Sequence, residues 1–204
     1  MGFYERQVLP RMLDLGMGGA AFRRERAKCL AGVQGRVLEV GFGSGHNLPF
    51  YPAGVEKVVG VDPSGQSAKL ASKRIAQAPF PVEFVALPGE RIDAPDASFD
   101  AVVTTFSLCT IPEPSAALAQ MLRVLRPGGQ LYFLEHGLAD DEGVVRWQNR
   151  LNGIQSALFG GCNLNRPIDR LVQDAGFVLE QIERYYGPGP RPLTYLYRGV
   201  ARRG

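Results

Sequence analysis

Val37-Leu38-Glu39-Val40-Gly41-Phe42-Gly43-Ser44-Gly45 decides the fold. A short apolar run that ends in alternating glycines reads as a buried strand entering a tight turn. Glycine there permits positive φ and lets the main chain come close to a ligand. The next apolar run, Lys57-Val58-Val59-Gly60-Val61, ends at Asp62, 23 residues beyond Glu39. An acid at the end of the second strand of such a unit can accept hydrogen bonds from ribose hydroxyls. The glycine spacing then narrows the ligand. A dinucleotide fingerprint, Gly-x-Gly-x-x-Gly, needs glycine at position 46 after Gly41 and Gly43, and His46 stands there. The loop fits a nucleoside site without a pyrophosphate cradle, which argues against an NAD-dependent oxidoreductase.

Working outward, strands and helices alternate. Ser64–Gln77 is expected to be a helix with Ser64 as N-cap. Val82–Ala86 is the third strand, Asp100–Thr105 the fourth and Gln130–Glu135 the fifth. Ser115–Leu125 reads as a helix stopped by Arg126-Pro127-Gly128-Gly129. This alternation predicts a parallel sheet with helices on both faces. The end of the chain breaks the pattern. Phe177–Ile182 and Thr194–Ala201 are consecutive strands around Gly187-Pro188-Gly189-Pro190, which predicts an antiparallel hairpin. Residues 3–30 read as two helices interrupted at Gly16, Gly18 and Gly19. We read 1–34 as a helical cover and 35–204 as the main unit of a single domain.

The 204 residues suffice for one domain that buries roughly 70% of its unfolded surface without staples. A net charge of +3, with no basic run interleaved with aromatics, gives no nucleic-acid interface. Cys29, Cys109 and Cys162 are odd in number and far apart. That spacing predicts neither a disulfide framework nor a zinc or other metal site. The first residues lack a signal peptide's apolar stretch, and no run is long enough for a membrane span. A cytoplasmic protein without stable membrane insertion, monomeric or homodimeric, is expected.

Val37–Gly45, Val61-Asp62-Pro63-Ser64, Ser98-Phe99-Asp100-Ala101-Val102-Val103 and Val124-Leu125-Arg126-Pro127-Gly128-Gly129 together resemble the motifs of class I S-adenosylmethionine (SAM)-dependent methyltransferases. A narrower likeness is carried by Asn47-Leu48-Pro49-Phe50-Tyr51-Pro52, Leu108-Cys109, Tyr132-Phe133-Leu134-Glu135-His136 and Leu158-Phe159-Gly160-Gly161-Cys162-Asn163-Leu164. These stretches are similar to the branch that includes the thiol S-methyltransferases. The resemblance implies a Rossmann-like α/β fold: an open seven-stranded, mostly parallel sheet with a C-terminal antiparallel hairpin. It implies SAM as cofactor and S-adenosylhomocysteine as product. The implied cofactor residues are Glu39, Gly41, Phe42, Gly43, Ser44, Gly45, Asn47, Asp62, Pro63, Gly89, Glu90, Thr104 and Thr105. Glu39 would orient the loop and the methionine amine, Asp62 would hold the ribose and Pro63 would lie along the adenine. The family's usual acidic partner of the adenine amine is replaced by Leu87-Pro88, so main-chain groups near Gly89 and Glu90 are expected to serve.

Methyl transfer from a sulfonium needs alignment and desolvation more than a strong catalytic group. A thiol or amine acceptor must still lose a proton. His136 stands at the end of the fifth strand, and an imidazole is a common proton acceptor in catalysis, which makes it the candidate base. Glu135 is expected to orient it or to bind a cationic group. Apolar residues between Gly143 and Leu164, Trp147 among them, would form a helix that either caps the acceptor pocket or packs on the core. The acceptor expected is a small, fairly apolar molecule, with a thiol favoured. A lipid or quinone N-, O- or C-methyltransferase and a non-catalytic SAM-binding protein remain alternatives.

Overall fold

A computed structural model describes residues 9–204; residues 3–8 of the expected first helix lie outside the described residues. The elements run in chain order: α1 (Leu9–Met17), α2 (Ala20–Leu30), β1 (Gly35–Val40), β2 (Val55–Val61), α3 (Gly65–Gln77), β3 (Val82–Val85), β4 (Phe99–Thr105), α4 (Pro114–Val124), β5 (Leu125–His136), α5 (Glu142–Leu158), α6 (Ile168–Asp174), β6 (Phe177–Tyr186) and β7 (Tyr195–Arg203). Among the described residues they form a seven-stranded sheet in the order β3-β2-β1-β4-β5-β7-β6. The first five strands of that order pair parallel, and β7 runs antiparallel to both β5 and β6. This is the Rossmann-like α/β sheet with its closing hairpin. Strand order reverses between β1 and β4, so the loops leaving these two strands open the crevice where ligands of such sheets bind.

The two faces of the sheet follow from the period of two along each strand. Leu38 and Val40 of β1, Val102 of β4, and Leu131 and Phe133 of β5 share one core with Leu118 and Met121 of α4 and Ile168 and Val172 of α6. Their neighbours Val37, Ala101, Val103, Tyr132 and Leu134 face the other core, closed by Cys29 and Leu30 of α2 and Ala71 of α3. Helix α2 is therefore integral to the core as well as part of the N-terminal cover. Ser64 caps α3 as expected, its side chain accepting from Ser67 N at 3.3 Å.

Two strand boundaries differ from the sequence reading. Strand β5 begins directly at Leu125, which pairs with Phe99, and pairing resumes at Gln130 opposite Ala101. The Arg126–Gly129 turn is thus a bulge inside the strand rather than a loop before it. Gly128, at φ +78°, makes that excursion possible. Strand β6 continues to Tyr186 because its whole length pairs with β7. The apolar stretch after Gly143 is indeed helical, and its first turn packs on the core through Val144 and Val145, whereas Trp147 and Ile154 further along do not. Trp147 and Ile154 are 54% and 61% exposed, and α5 is also pinned by Gln148, which donates to Gly137 O at 3.0 Å and accepts from Ala139 N at 2.9 Å. No helix of the described residues is long and apolar enough to cross a membrane.

Candidate active site

The glycine loop needs its glycines. Gly41, Gly43 and Gly45 sit at φ +76°, +53° and +76°, in the left-handed region that side chains oppose. A Cβ on Gly41 would also overlap the Ser107 hydroxyl, whereas one on Gly43 would meet only Gly41 O, at 3.9 Å. The main chain at Gly43 is therefore the open part of the loop. Gly43 N donates to Asp62 Oδ2 at 2.9 Å, and Ser64 N donates to Asp62 Oδ1 at 2.9 Å. Asp62 thus ties the first turn to the second while staying half-buried. Phe42 points away from the crevice: its ring fills the space left by Gly60 and meets Phe84 edge-on. Only its main chain can face a ligand. Pro63 is exposed beside Asp62.

Glu39 looks into the face that α2 covers. It is 1% exposed and accepts from Asn47 Nδ2 at 2.8 Å and from the Tyr51 hydroxyl at 2.7 Å. Arg26 of α2 completes this network. Its Nη1 donates to Asn47 Oδ1 at 2.8 Å and to Thr105 Oγ1 at 2.7 Å, and Asn47 Nδ2 reaches the same hydroxyl at 3.1 Å. The guanidinium lies 5.3 Å from the Phe106 ring centre, and its buried Nε has no partner among the described residues. Burial pushes the Glu39 carboxyl up to about 7, although Tyr51, Arg26 and Asn47 all favour its ionised form. Arg26 was not among the sequence candidates.

Thr104 and Thr105, both among the implied cofactor residues, point to opposite faces because they are neighbours on a strand. Thr105 joins the Arg26 network. Thr104 turns the other way and donates to Glu135 Oε1 at 2.9 Å. Glu135 corrects a second expectation. It lies on the face opposite His136 and does not orient it. Its fully buried carboxylate instead accepts from Ser107 N at 2.9 and 3.1 Å, with Leu108 and Cys109 N–H groups beside it. Glu135 therefore clamps the turn after β4. Burial pushes its carboxyl up to about 7 against those donors.

His136 ends β5 at the same carboxyl edge as the glycine loop. It is 6% exposed; Nδ1 lies 3.7 Å from Cys162 Sγ, and the buried Nε2 has no partner among the described residues. His46 plays a different part. Its Nε2 lies 3.0 Å from both the carbonyl and the carboxylate of Asp14 on α1, and Arg74 bridges Asp14 Oδ1 and Ser44 O at 3.0 and 2.9 Å. This latch fastens α1 to the glycine loop. Burial and the Arg74 charge hold the His46 ring below its usual value, despite Asp14. Gly89 is buried against Val40 and Ile111, and Glu90 Oε1 accepts from Glu113 N at 3.3 Å.

Residues 38–133 match the methyltransferase domain family. Human thiol S-methyltransferase TMT1A is 36% identical over 178 residues, which are 82% of this chain and 72% of that protein. The chain belongs to the SAM-dependent methyltransferase family. A phosphatidylethanolamine N-methyltransferase of Cereibacter sphaeroides is a further relative, 32% identical over 154 residues and 74% of each chain. A geranyl diphosphate methyltransferase solved with SAM superposes on this methyltransferase with a TM-score of 0.71, covering 100% of this chain and 92% of its own at 15% identity. That likeness shows the shared fold. Family membership makes the methyltransferase an enzyme and implies SAM as its cofactor, and its glycine loop lies at the sheet's switch point.

Proposed function

We propose that the enzyme methylates a small, fairly apolar acceptor, preferably at a thiol sulfur, and that His136 takes the thiol proton. The observation that carries this reading is the buried, unpartnered Nε2 of His136 at the carboxyl edge of the sheet. Similarity to human thiol S-methyltransferase over most of both chains supports the choice of thiol.

The residues present fit SAM. Asp62 uses two of about four carboxylate acceptor positions on its own loops, which leaves capacity for ribose hydroxyls. The open main chain of Gly41, Gly43, Ser44 and Gly45 suits the methionine part. Glu39 and Arg26, with Asn47 and Thr105 between them, present opposite charges to an amino acid's ammonium and carboxylate. Pro63 and the main chain of Gly89 and Glu90 would border the adenine. When bound, SAM supplies a methyl group already activated by a sulfonium, and S-adenosylhomocysteine is released. The protein's work is to align the acceptor and exclude water, which is worth on the order of 7–11 kcal/mol. His136 accepts the sulfur's proton at Nε2. Glu135 and Thr104 act one step back, by fixing the turn that leads to Cys109. Residues 9–34, latched through Asp14, would cover the site and help to select the acceptor.

Replacing His136 by Gln tests the assignment. Rates on alkyl thiols, mostly protonated at neutral pH, should fall about 100-fold or more. Acidic aryl thiols, already ionised, should be nearly unaffected. An equal loss on both classes would refute a base role. A second reading, methylation of a lipid amine, is favoured by the Cereibacter relative and by the outward apolar side chains Trp147, Ile154 and Phe159 of the α5 region. Phospholipid turnover exceeding thiol turnover would select it.

A further inference from the structure

Two of the three cysteines, 53 residues apart in sequence, meet beside His136. Cys109 sits in the turn after β4 that Glu135 clamps. Cys162 lies in the turn after α5, where Gly160 and Gly161 adopt φ +62° and +90° and fold the chain back. Their sulfurs are 3.6 Å apart. The two turns are stitched together by Asn163, which donates to Cys109 O from its main chain at 2.8 Å and from its side chain at 3.2 Å. Asn152 of α5 holds the same turn, donating to Asn163 Oδ1 at 3.1 Å and accepting from Leu164 N at 2.7 Å. The contact is therefore built into the fold.

The pair is asymmetric. Cys109 is 2% exposed, whereas Cys162 is only half-buried. Hydrogen bonding to Cys109 and then to His136 holds the Cys162 thiol well below its usual value, against burial. The same bond and burial push Cys109 up. A reachable thiolate backed by a protonated thiol is the arrangement of an attacking and a resolving cysteine. The sulfurs need to close by about 1.5 Å to reach bonding distance, a movement within reach of two side chains and a glycine turn.

We propose that Cys162 and Cys109 form a thiol–disulfide exchange site for low-molecular-weight disulfides, closing into an internal disulfide against His136. Cys162 thiolate attacks one sulfur of the incoming disulfide, forming a mixed disulfide and expelling one small thiolate. Cys109 then attacks Cys162 Sγ, forming the Cys109–Cys162 bond and expelling the second small thiol, which carries away the Cys109 proton. The two cysteines are oxidised by two electrons and the small disulfide is reduced to two thiols. Closure removes the thiolate facing His136 Nδ1. A slowing of methyl transfer on closure rests on the proposed base role; the disulfide itself does not.

The test uses the reduced full chain, oxidised glutathione and intact mass, with peptide mapping, and needs no methyl acceptor. Wild type should become lighter by two hydrogens without retained glutathione, through a Cys109–Cys162 cross-link that a phosphine reverses. Cys109→Ser should trap one glutathione on Cys162, and Cys162→Ser should take none. Cys29, buried and with its thiol pushed up to about 12, is the internal control. Glutathione persisting on wild-type Cys162, modification of Cys29 instead, or an unchanged wild-type mass would each overturn the proposal.

Discussion

Replacing Arg26 by Ala probes the buried network beneath the glycine loop. The side chain is 5% exposed, and its Nη1 serves both Asn47 Oδ1 and Thr105 Oγ1. Hydrogen bonds from a charged donor contribute about 1.5–3 kcal/mol each. Removing one partner from a buried ionic network costs about 3–5 kcal/mol. Such a loss is a large share of the roughly 5–15 kcal/mol that holds a domain folded. The cost must also depend on pH. Burial already raises the Glu39 carboxyl to about 7 in the folded state, and Arg26 is one of the groups resisting that rise. Without Arg26 the Glu39 value climbs further above its unfolded value. A folded value above the unfolded one means stability is retained at low pH and lost as pH rises. Urea unfolding of Arg26→Ala should therefore show the full penalty at pH 8 and a smaller one at pH 6. Adding Glu39→Gln should recover part of the pH 8 loss, since the buried charge is gone. A penalty under about 1 kcal/mol, a penalty larger at pH 6, or strict additivity of the two substitutions would refute the reasoning.

Other expectations follow from the same contacts. Asp62→Ala should weaken SAM binding about 10- to 100-fold by calorimetry, since it removes ribose acceptors and the Gly43 tether together; unchanged affinity would refute the ribose role. Gly41→Ala meets both positive φ and the Ser107 hydroxyl, so it should destabilise by at least about 1–3 kcal/mol in thermal or urea unfolding. Glu135 is held up at about 7 by burial, so its contribution also favours the folded state at low pH and fades as pH rises from the ordinary carboxylate range through 7. Glu135→Gln should accordingly flatten the stability profile between pH 5 and pH 8, and a steeper profile would contradict the burial argument. Breaking the α1 latch with Asp14→Asn should raise the KM for SAM or acceptor while leaving the urea midpoint nearly unchanged, because the contact is partly exposed.

Much of this architecture could be read from the chain because its signals are local. The runs around Val37–Val40, Val58–Val61 and Val102–Thr105 became strands buried on both faces, and the three loop glycines proved to need positive φ. Asp62 stands at the end of β2, as its spacing implied. What escaped the sequence is long-range. Arg26 reaches Thr105 across 79 residues, and nothing in Arg23-Arg24-Glu25-Arg26 distinguishes the buried arginine from its solvated neighbours. His46 was informative chiefly as a missing glycine, yet it latches α1. The wide spacing of Cys109 and Cys162 argued against a disulfide framework, yet their sulfurs lie 3.6 Å apart. Glu135 was misassigned because adjacent strand residues face opposite ways, so nearness to His136 in sequence separated the two in space. The β5 boundary moved because pairing with Phe99 continues on the far side of the glycine bulge.

Acceptor identity bears most directly on the account. The purified chain, given SAM with isotopically labelled methyl, should be offered alkyl and aryl thiols, phosphatidylethanolamine vesicles and a quinol in parallel. Label should appear as an S-methyl thioether with an equal amount of S-adenosylhomocysteine, and label on the lipid or quinol should be slower by at least about tenfold. Label on phosphatidylethanolamine or the quinol with none on any thiol would contradict the central claim.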